Sequence, residues 1–598
     1  LLYRPAEALE QYREALRTLE AAGNLSTAGL VRINMGRAEL ALGRTDSARA
    51  AVLEGLGIKR RVGDSTGVTW GLVDLGRIER ARRDLPAARR ALEEARRLLR
   101  LTGDRGREGG VLYELGSLAR DGGPGQDFAE ALARFDTAAA IRSTVGSGTR
   151  TDQDRVSFAE QDLGLFEEWV LTWLDRADLP AEQAALAALA AAERGRGRAL
   201  LDLMRERRTR VAPGADLVGE GRMMVETLQR EGGTTLAYLT GRDTLVVWVV
   251  PDSGAVTAHR VAAGRAAVAR AVEEFRRSLE VETGCEPPRA AGVNLSEAGA
   301  RLSALLVSDA VRHRLPRSGG LLVVPHGPIN LVPFAAIPLG PEGEALGARL
   351  PLRYAPSLAS AIQTSSRRSL LAGTADAGRW QALRPALVLG NPRMPLLPLC
   401  GVRLRPRALP AADTSSRWLA AQLGADALVD DRATERALRS AIGGAGLIHL
   451  ETHGFAYENE ARARESFVTL AADPAAEPPP EGDGRLTVGE ILDQLPRLRA
   501  ELVVLGACQT GLGDLKDAEG TVGLQRAFLA RGVRSTLVSL WDIDDRASAA
   551  LLKEFYLQWL SGGVGKAEAL RRAQDAVRQM AGFDHPKFWA AFILAGSD

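Results

Sequence analysis

Two stretches of sequence decide the fold of this chain: LIHLETHG at residues 447–454 and LVVLGACQTG at residues 502–511. In each, an apolar run leads directly into a reactive side chain, His453 or Cys508, that is flanked by small residues. Continuous apolar strands are typical of a parallel sheet covered on both faces. Chemistry in such sheets belongs at the carboxyl ends of the strands. The two stretches therefore predict an α/β domain whose site lies where His453 and Cys508 meet.

Strands alternate with helices around these two stretches, from about residue 230 to the end of the chain. The strands are unbroken apolar runs, and helical periodicity lies between several of them. This alternation predicts a mainly parallel sheet with crossover helices on both faces. The proline-rich segment 473–484 predicts a surface loop. The predicted strands are 244–250, 320–324, 386–389, 447–450, 501–505, 535–540 and 592–595, and the predicted helices include 262–279, 434–442, 520–531 and 547–559.

The first 210 residues carry only helical periodicity and contain an internal repeat of 40 residues. A glycine that ends a short motif recurs at Gly36, Gly76 and Gly116, and Ala48 and Ala88 follow the first two at equal distance. The pattern resembles the tetratricopeptide repeat, with small residues where paired helices touch. A generic helical solenoid without that family signature is the alternative.

The repeats also indicate how the helical region begins, ends and is used. Residues 6–22 resemble the second helix of an earlier repeat, so we expect the chain to start mid-repeat, and 151–205 predicts one more helix pair. Stacked repeats form a superhelix whose concave face binds a protein segment, which predicts a protein partner. For the arginine cluster at 194–210, a solvated face or an internal contact is favoured over contact with nucleic acid.

Composition narrows the class of function. The 598 residues carry 77 basic and 75 acidic side chains, a net charge of +2, which excludes a wholly basic surface for nucleic acid or an anionic membrane. Three cysteines in no CxxC pair form no disulfide framework and fit a reducing compartment, so we expect a cytoplasmic protein. No run of 18 apolar residues predicts a membrane span.

The chemistry expected of His453 and Cys508 is nucleophilic. Neighbouring strands lie about 4.8 Å apart, so a cysteine and a histidine at adjacent strand ends can meet. The imidazole takes the thiol proton and later returns a proton to a leaving amine. Gly454 follows His453 and Gly506 stands two residues before Cys508, so we expect the N–H groups of Gly454 and Cys508 to hold an oxyanion. This dyad requires no cofactor.

Other residues offer competing sites that we weigh against the dyad. His449 and His453 would share a helix face and could bind zinc, but the run is strand-like, and His449 is favoured as a buried, hydrogen-bonded strand residue or a support for the site. His326, which follows another strand, is favoured as structural. Cys285 and Cys400 lie in predicted loops and are interpreted as spare thiols. The glycine-rich segment 562–567 lacks the residues that a phosphate loop requires.

Several ordered motifs in the carboxyl-terminal half resemble the CHAT family, caspase-like peptidases that typically follow tetratricopeptide repeats and are relatives of caspases and separases. The resemblance spans about residues 230–598. Upstream motifs resemble the non-catalytic amino half of the family. The matching segments are 447–454, 502–513, 519–524, 532–535, 539–545 and 585–592, with 324–327, 333–334 and 354–357 upstream.

The resemblance implies a helical repeat region over 1–210, a non-catalytic amino half over 211–395 and a catalytic caspase-like half over 396–598. It implies a cysteine endopeptidase with His453 as the base, Cys508 as the nucleophile and the amides of Gly454 and Cys508 as the oxyanion hole. Glu451 or a backbone carbonyl is expected to orient the imidazole. A partner on the repeats would regulate cleavage of a protein substrate, in bacterial defence or regulated cell death.

Substrate specificity and catalysis itself leave alternatives open. The segment 541–545 resembles a separase segment near an acidic pocket, yet the pocket acid of separases aligns near Ala549, so arginine specificity does not carry over. Asp545 either lines a substrate pocket or, as we favour, caps the helix that starts near Ala547. The alternative function is a non-catalytic scaffold with a pseudo-protease docking domain.

Overall fold

A computed structural model describes residues 4–122, 127–146, 148, 151–205, 213–281, 292–339, 343–399, 402–473, 482–507 and 509–598. The chain divides into two compact units. The first comprises Leu1–Arg150, Gly164–Pro180 and Arg210–Asp216. The second comprises Thr151–Leu163, Ala181–Thr209 and Leu217–Asp598. The larger second unit contains both stretches that carry the predicted site.

Antiparallel helix pairs form the first unit, and they begin at Leu25, Ser65 and Arg105, which are 40 residues apart as the repeat predicts. A Cβ atom at Gly36 would lie 2.4 Å from Val52 Cγ2, so the predicted close approach at the small residues is confirmed. The helices are α1 (Pro5–Ala21), α2 (Leu25–Ala41), α3 (Thr45–Arg61), α4 (Ser65–Ala81), α5 (Leu85–Thr102), α6 (Arg105–Arg120) and α7 (Phe128–Gly146).

The segment 151–205 differs from the single helix pair that the sequence predicted. A short turn at 161–162 and the glycines around 195–197, with Gly197 at φ +59°, break it into four helices. These are α8 (Asp152–Glu160), α9 (Leu163–Leu174), α10 (Ala181–Arg194) and α11 (Arg198–Arg205). Helices α8, α10 and α11 belong to the second unit.

The second unit is built on one mainly parallel sheet of eleven strands in the order β11-β8-β12-β16-β19-β20-β7-β4-β1-β2-β3. The predicted fold class, helical repeats followed by an α/β domain, is confirmed. The strands are β1 (Thr234–Thr240), β2 (Leu245–Val250), β3 (Thr257–Val261), β4 (Leu321–Val324), β5 (Pro338–Leu339), β6 (Glu344–Ala345), β7 (Leu352–Tyr354), β8 (Ala386–Pro392), β9 (Leu397–Leu399), β10 (Val402–Leu404), β11 (Ala427–Asp430), β12 (Leu447–Glu451), β13 (Gly454–Phe455), β14 (Phe467–Thr469), β15 (Arg485–Thr487), β16 (Leu502–Leu505), β17 (Asp514–Lys516), β18 (Gly520–Val522), β19 (Ser535–Ser539) and β20 (Phe592–Gly596).

Helices cover this sheet and bury its central strands completely. The predicted helix over 520–531 is shorter, because β18 occupies its first residues. The helices are α12 (Leu217–Glu231), α13 (Arg265–Ser278), α14 (Leu295–Leu306), α15 (Asp309–Arg312), α16 (Leu346–Arg349), α17 (Leu358–Ser365), α18 (Arg379–Ala382), α19 (Pro410–Leu423), α20 (Glu435–Ile442), α21 (Val488–Gln494), α22 (Leu524–Ala530), α23 (Asp545–Tyr556), α24 (Lys566–Arg578) and α25 (Pro586–Trp589).

Candidate active site

His453 lies just beyond the carboxyl end of β12, where the chain turns into the short strand β13. Two hydrogen bonds to β14 hold this turn: the Thr469 amide donates to the His453 carbonyl (2.8 Å), and the Thr452 hydroxyl donates to the Thr469 carbonyl (2.8 Å). The backbone on both sides of the imidazole is therefore fixed, and the ring has a defined position at the sheet edge.

A backbone carbonyl orients the His453 imidazole. Nε2 lies 2.8 Å from the carbonyl oxygen of Arg407, which can only accept, so Nε2 carries the proton and Nδ1 is the basic nitrogen. Burial lowers the pKa of His453 below its ordinary 6.5, against the opposing effects of the Arg407 carbonyl and of Asp545. The resting imidazole is thus neutral near pH 7 and can accept a proton at Nδ1.

The amide of Gly454 is not used by the sheet. Because the Thr469 amide donates to the carbonyl of His453, Gly454 and Val468 form a non-hydrogen-bonded pair between β13 and β14. In such a pair neither amide points at the partner strand. Gly454 therefore retains a backbone donor beside the imidazole, as an oxyanion hole needs.

Cys508 lies outside the described residues, so its position relative to His453 stays a prediction. Strands β12 and β16 are adjacent and parallel, and four β12 residues pair with the residue 55 positions further along, from Leu447 with Leu502 to Leu450 with Leu505. The same offset separates His453 from Cys508 in sequence. The register of the two strands thus supports the predicted meeting of imidazole and thiol.

Both neighbours of Cys508 are anchored. The Ser539 and Thr510 hydroxyls donate to the Ala507 carbonyl at 2.7 and 3.1 Å. On the other side, Gln509 takes a left-handed φ of +58° and its side-chain amide donates to Asp542 (2.8 Å). A non-glycine residue in this region costs roughly 1–2 kcal/mol and persists only where its surroundings enforce it. Both neighbours of Cys508 are therefore held by residues after β16 and by residues at and after the end of β19.

Glu451 contacts His449 rather than His453. Its Oε2 accepts from the Ser415 and Ser416 hydroxyls and lies 3.2 Å from Nε2 of His449. Nδ1 of His449 lies 3.1 Å from the Tyr556 hydroxyl. His449 is thus a buried, hydrogen-bonded strand residue, as expected. Of the two orienting groups that the sequence left open, the structure places a backbone carbonyl against His453.

The aspartates after β19 differ from expectation by one position. Asp544, not Asp545, caps α23, and its carboxylate accepts from the amides of Arg546 and Ala547 at 3.0 Å. Asp545 instead accepts from the amides of Ala411 and Ala412 (2.9 and 3.1 Å) at the start of α19. The favoured capping role for Asp545 is therefore wrong, and its role in a substrate pocket stays a prediction.

A cavity of about 320 Å³ opens beside the imidazole. Its walls come from the carboxyl ends of β12 and β16, from the segment after β19, from the start of α19 and α23, and from the region of α25. The lining residues are Glu280, Val281, Arg407, Leu409, Ala412, Glu451, Thr452, His453, Gly506, Asp542, Ile543, Asp544, Asp545, Ser548, Lys587 and Phe588.

The remaining sequence candidates lie elsewhere. His326 is buried, and its Nδ1 contacts the amide and hydroxyl of Thr240 at 3.2 and 2.7 Å, a structural role as expected. Cys285 and Cys400 lie outside the described residues. Lys566, in the glycine-rich segment, is buried and donates to Glu501 (2.8 Å).

The described residues bear on the metal-site and membrane-span interpretations. They contain no group of three or more histidine, cysteine, aspartate or glutamate side chains arranged to hold a metal ion. No helix in the described part of the chain combines the length and apolar character that a bilayer crossing requires.

The fold and the site define an α/β protein with helical repeats and a histidine at the edge of a parallel sheet. The family model described as CHAT domain matches residues 296–597, and the chain belongs to this family. Tetratricopeptide repeat protein 28 is similar: the Homo sapiens protein is 30% identical over 305 residues and the Mus musculus protein 29% over 303. Each match covers 46% of this chain and only 12% of that protein.

Solved structures show weaker similarity. A chain of the Saccharomyces cerevisiae separase–securin complex matches with a TM-score of 0.43 and 10% identity, over 96% of this chain and 50% of that one. The Arg-specific cysteine proteinase gingipain R matches with a TM-score of 0.32 and 12% identity, over 55% of this chain and 73% of that one. The predicted recognition, a CHAT protein with tetratricopeptide-like repeats, is confirmed.

Proposed function

We propose that this protein is a cysteine endopeptidase that acts through a His453–Cys508 dyad. The observation that carries the proposal is the pairing of β12 with β16, whose offset of 55 residues also separates the two side chains. The hydrogen bond from His453 Nε2 to the Arg407 carbonyl adds support, because it leaves Nδ1 as a base. The alternative function, a non-catalytic scaffold, is favoured if the Cys508 thiol is no more reactive than the other thiols of the chain.

The reaction is acyl transfer. Nδ1 of His453 takes the thiol proton while the Cys508 sulfur attacks the peptide carbonyl, and the oxyanion forms beside the amides of Gly454 and Cys508. The imidazolium then protonates the leaving amine, and the C–N bond breaks to leave a thioester. Water attacks this thioester, His453 takes a proton from the water, and the acid and the free thiol are released.

The proposal is tested by the reactivity of the thiol in the full chain. Iodoacetamide alkylation, followed by peptide mass spectrometry, gives separate rates for Cys508, Cys285 and Cys400. We expect Cys508 to react at least about tenfold faster at pH 7, because an adjacent base raises the thiolate fraction. His453→Ala should abolish the excess of the Cys508 alkylation rate over the rates of the other two cysteines. His326→Ala, a matched change at a buried structural histidine, should leave that excess in place.

A cleavage assay completes the test. Wild-type protein and Cys508→Ala are incubated with a proteome-derived peptide library, and new amino termini are identified by mass spectrometry. Cleavage that depends on Cys508 supports the enzyme. Equal reactivity of all three thiols, together with no cleavage, would favour the scaffold with a pseudo-protease domain.

We propose further that a protein partner bound to the repeats regulates this site. The support lies in helices that follow the repeats in the chain and belong to the second unit. The Glu160 carboxylate at the end of α8 accepts from the amides of Ala518 and Asp517 (2.7 and 3.2 Å), and the Gly197 amide before α11 donates to the Ala518 carbonyl (2.8 Å). These helices thus hold the segment that follows Cys508.

A buried ionic cluster strengthens this attachment. Glu519 accepts from the amides of Ala199 and Leu200 at the start of α11 (2.9 and 3.2 Å). Arg526 donates to both oxygens of Asp152 in α8 (2.7 and 3.2 Å) and to Glu519 (3.4 Å). A partner that displaces α8 or α11 would therefore alter the segment beside the nucleophile. By family resemblance, the regulated cleavage would act on a cytoplasmic protein in bacterial defence or regulated cell death.

A further inference from the structure

We propose that Asn391 is a positioning residue for the base, because its side chain fixes the chain segment whose Arg407 carbonyl holds the His453 imidazole. The inference rests on the proposed endopeptidase function, since it adds a residue to the machinery of the same reaction. The assigned role is indirect: Asn391 acts through the backbone over 405–409 and not on the reacting atoms.

The segment that carries this carbonyl has no regular structure of its own. Strand β10 ends at Leu404 and α19 begins at Pro410, and residues 405–409 between them belong to neither a helix nor a strand. Helices and strands fix their carbonyls through their own ladders of hydrogen bonds. Here the position of the Arg407 carbonyl depends instead on the groups that tie the segment down. The orientation of the His453 imidazole is therefore only as well defined as these ties.

Two contacts tie the segment to the end of β8 and the residues after it. The Leu409 amide, two residues after Arg407, donates to Oδ1 of Asn391 at 2.7 Å. Because a backbone N–H can only donate, the side chain of Asn391 must present its oxygen here and not its NH₂ group. The Arg405 guanidinium, two residues before Arg407, donates to the Met394 carbonyl. The carbonyl that holds the imidazole thus lies between two anchored residues.

The backbone at Asn391 departs from a regular strand. Strand β8 pairs with β11 through Gly390 and then through Pro392, so Asn391 between them is an extra residue that forms a β-bulge. Its φ of +41° lies in the left-handed region, which asparagine adopts more readily than most residues other than glycine. Bulges beside active sites commonly re-aim a side chain. The bulge therefore removes Asn391 from the alternation of β8, and its side chain is directed at the segment over 405–409.

The bulge lies at the same edge of the sheet as the imidazole. Strands β8 and β12 are adjacent and parallel, and Gly390 pairs with Glu451. Asn391 follows the first of these residues, and His453 stands two positions after the second. A short path thus joins them, from the Asn391 side chain through the backbone over 405–409 to the imidazole. Loss of the Asn391 oxygen should release the carbonyl, so that the ring no longer keeps its proton on Nε2 and its basic site on Nδ1.

The first experiment reads the state of the base without any chemistry at the thiol. Proton–nitrogen correlation spectra of the full chain, labelled at histidine, identify which ring nitrogen of His453 carries the proton, and His453→Ala assigns the signals. We expect protonation at Nε2 alone in the neutral ring of the wild type. Asn391→Gly accepts the left-handed backbone freely but has no acceptor, so it should fold and show both tautomers. Asn391→Asp keeps an oxygen acceptor and should keep the wild-type tautomer.

A matched variant and a wild-type measurement keep this test decisive. Asn294→Gly removes an asparagine oxygen that accepts from the Glu297 amide (3.2 Å) at the start of α14, and it should leave the His453 tautomer unchanged. In the wild-type chain, hydrogen exchange should show a protected Leu409 amide, whether or not the variants fold. An unchanged tautomer in Asn391→Gly, equal loss in Asn391→Asp or Asn294→Gly, or a rapidly exchanging Leu409 amide overturns the inference.

The second experiment separates this inference from the proposed function. The rate of Cys508 alkylation by iodoacetamide at pH 7 should fall about tenfold or more in Asn391→Gly, because a displaced base no longer meets the thiol, and should change little in Asn391→Asp. A fast Cys508 rate that is equal in wild type and Asn391→Gly retains the dyad and overturns the positioning role. A tautomer that depends on Asn391, with Cys508 no faster than Cys285 and Cys400 in the wild type, retains the positioning role and refutes the reactive dyad.

Discussion

Replacing Arg526 by methionine should destabilise the attachment of the segment that follows Cys508. The guanidinium is 3% exposed and contacts Asp152 and Glu519, which are also buried. Although burial alone would lower the pKa of Arg526, the two carboxylates raise it above its ordinary value, so the charge is stable. Arg526→Met removes the only cation that both buried carboxylates contact in the described part of the chain, and breaking a buried pair in this way costs about 3–5 kcal/mol.

Hydrogen exchange with mass spectrometry measures this cost where it arises. A loss of about 3–5 kcal/mol in local opening free energy corresponds to a decrease of roughly two to four powers of ten in protection of peptides over 514–530. Arg462→Met is the matched control, because Arg462 forms an exposed pair with Glu465 that contributes about 1 kcal/mol or less. Similar protection in the two variants would refute the reasoning.

The pH dependence of Arg526→Met gives an independent check with a defined sign. Burial already raises the pKa of Glu519 in the native protein, and loss of Arg526 raises it further. A carboxyl whose folded pKa exceeds its unfolded pKa binds more protons when folded, so its contribution to stability declines as the pH rises. The deficit of Arg526→Met relative to wild type should therefore be larger at pH 8 than at pH 5. A deficit independent of pH would contradict this account.

Three further predictions concern the base, the repeats and metal ions. Since burial lowers the pKa of His453 below 6.5, the acid limb of a Cys508 alkylation profile should fall below pH 6.5, and His453→Ala should remove it. In the repeats, Gly36→Ala should lower the free energy of unfolding by about 1–3 kcal/mol, because the new Cβ would lie 2.9 Å from the Ala48 carbonyl oxygen. Gly110→Ala, where nothing lies within 4 Å of the new Cβ, should raise the free energy of unfolding by about 0.5–1 kcal/mol. Urea titration measures both changes. EDTA should not change cleavage, and strong inhibition would restore the zinc interpretation.

Local sequence patterns were enough to predict the helices and strands whose own residues carry a clear periodicity or an unbroken apolar run. The 40-residue spacing gave the helix pairs, since every repeat must bury its apolar face against the next one. The apolar runs that end in His453 and Cys508 gave β12 and β16, because completely buried strands have no polar face. The weaker strand β1 (Thr234–Thr240) was missed, since its threonines and tyrosine lack the continuous apolar character of its neighbours.

Residues that contribute to the site only through tertiary contacts could not be predicted from local sequence patterns. The carbonyl of Arg407 lies 46 residues before His453 in sequence, and a backbone carbonyl has no residue identity to read. Asp544 and Asp545 are adjacent acids, and only the direction of each side chain decides which of them caps α23. Ser415, Ser416 and Ser548 are ordinary helix residues in the sequence, and their proximity to Glu451 or the cavity depends on how α19 and α23 pack.

The orientation of the His453 imidazole depends on how α19 and α23 pack. Its ring is held by a carbonyl on the chain segment before α19, while Asp545, at the start of α23, binds the first amides of α19. The same two helices contribute Ser415, which donates to Glu451, and Ser548, which lines the cavity. A displacement of either helix would therefore act on the elements that orient the imidazole. The packing of α19 against α23 thus helps to keep Nε2 of His453 on the Arg407 carbonyl and to leave Nδ1 as the basic nitrogen.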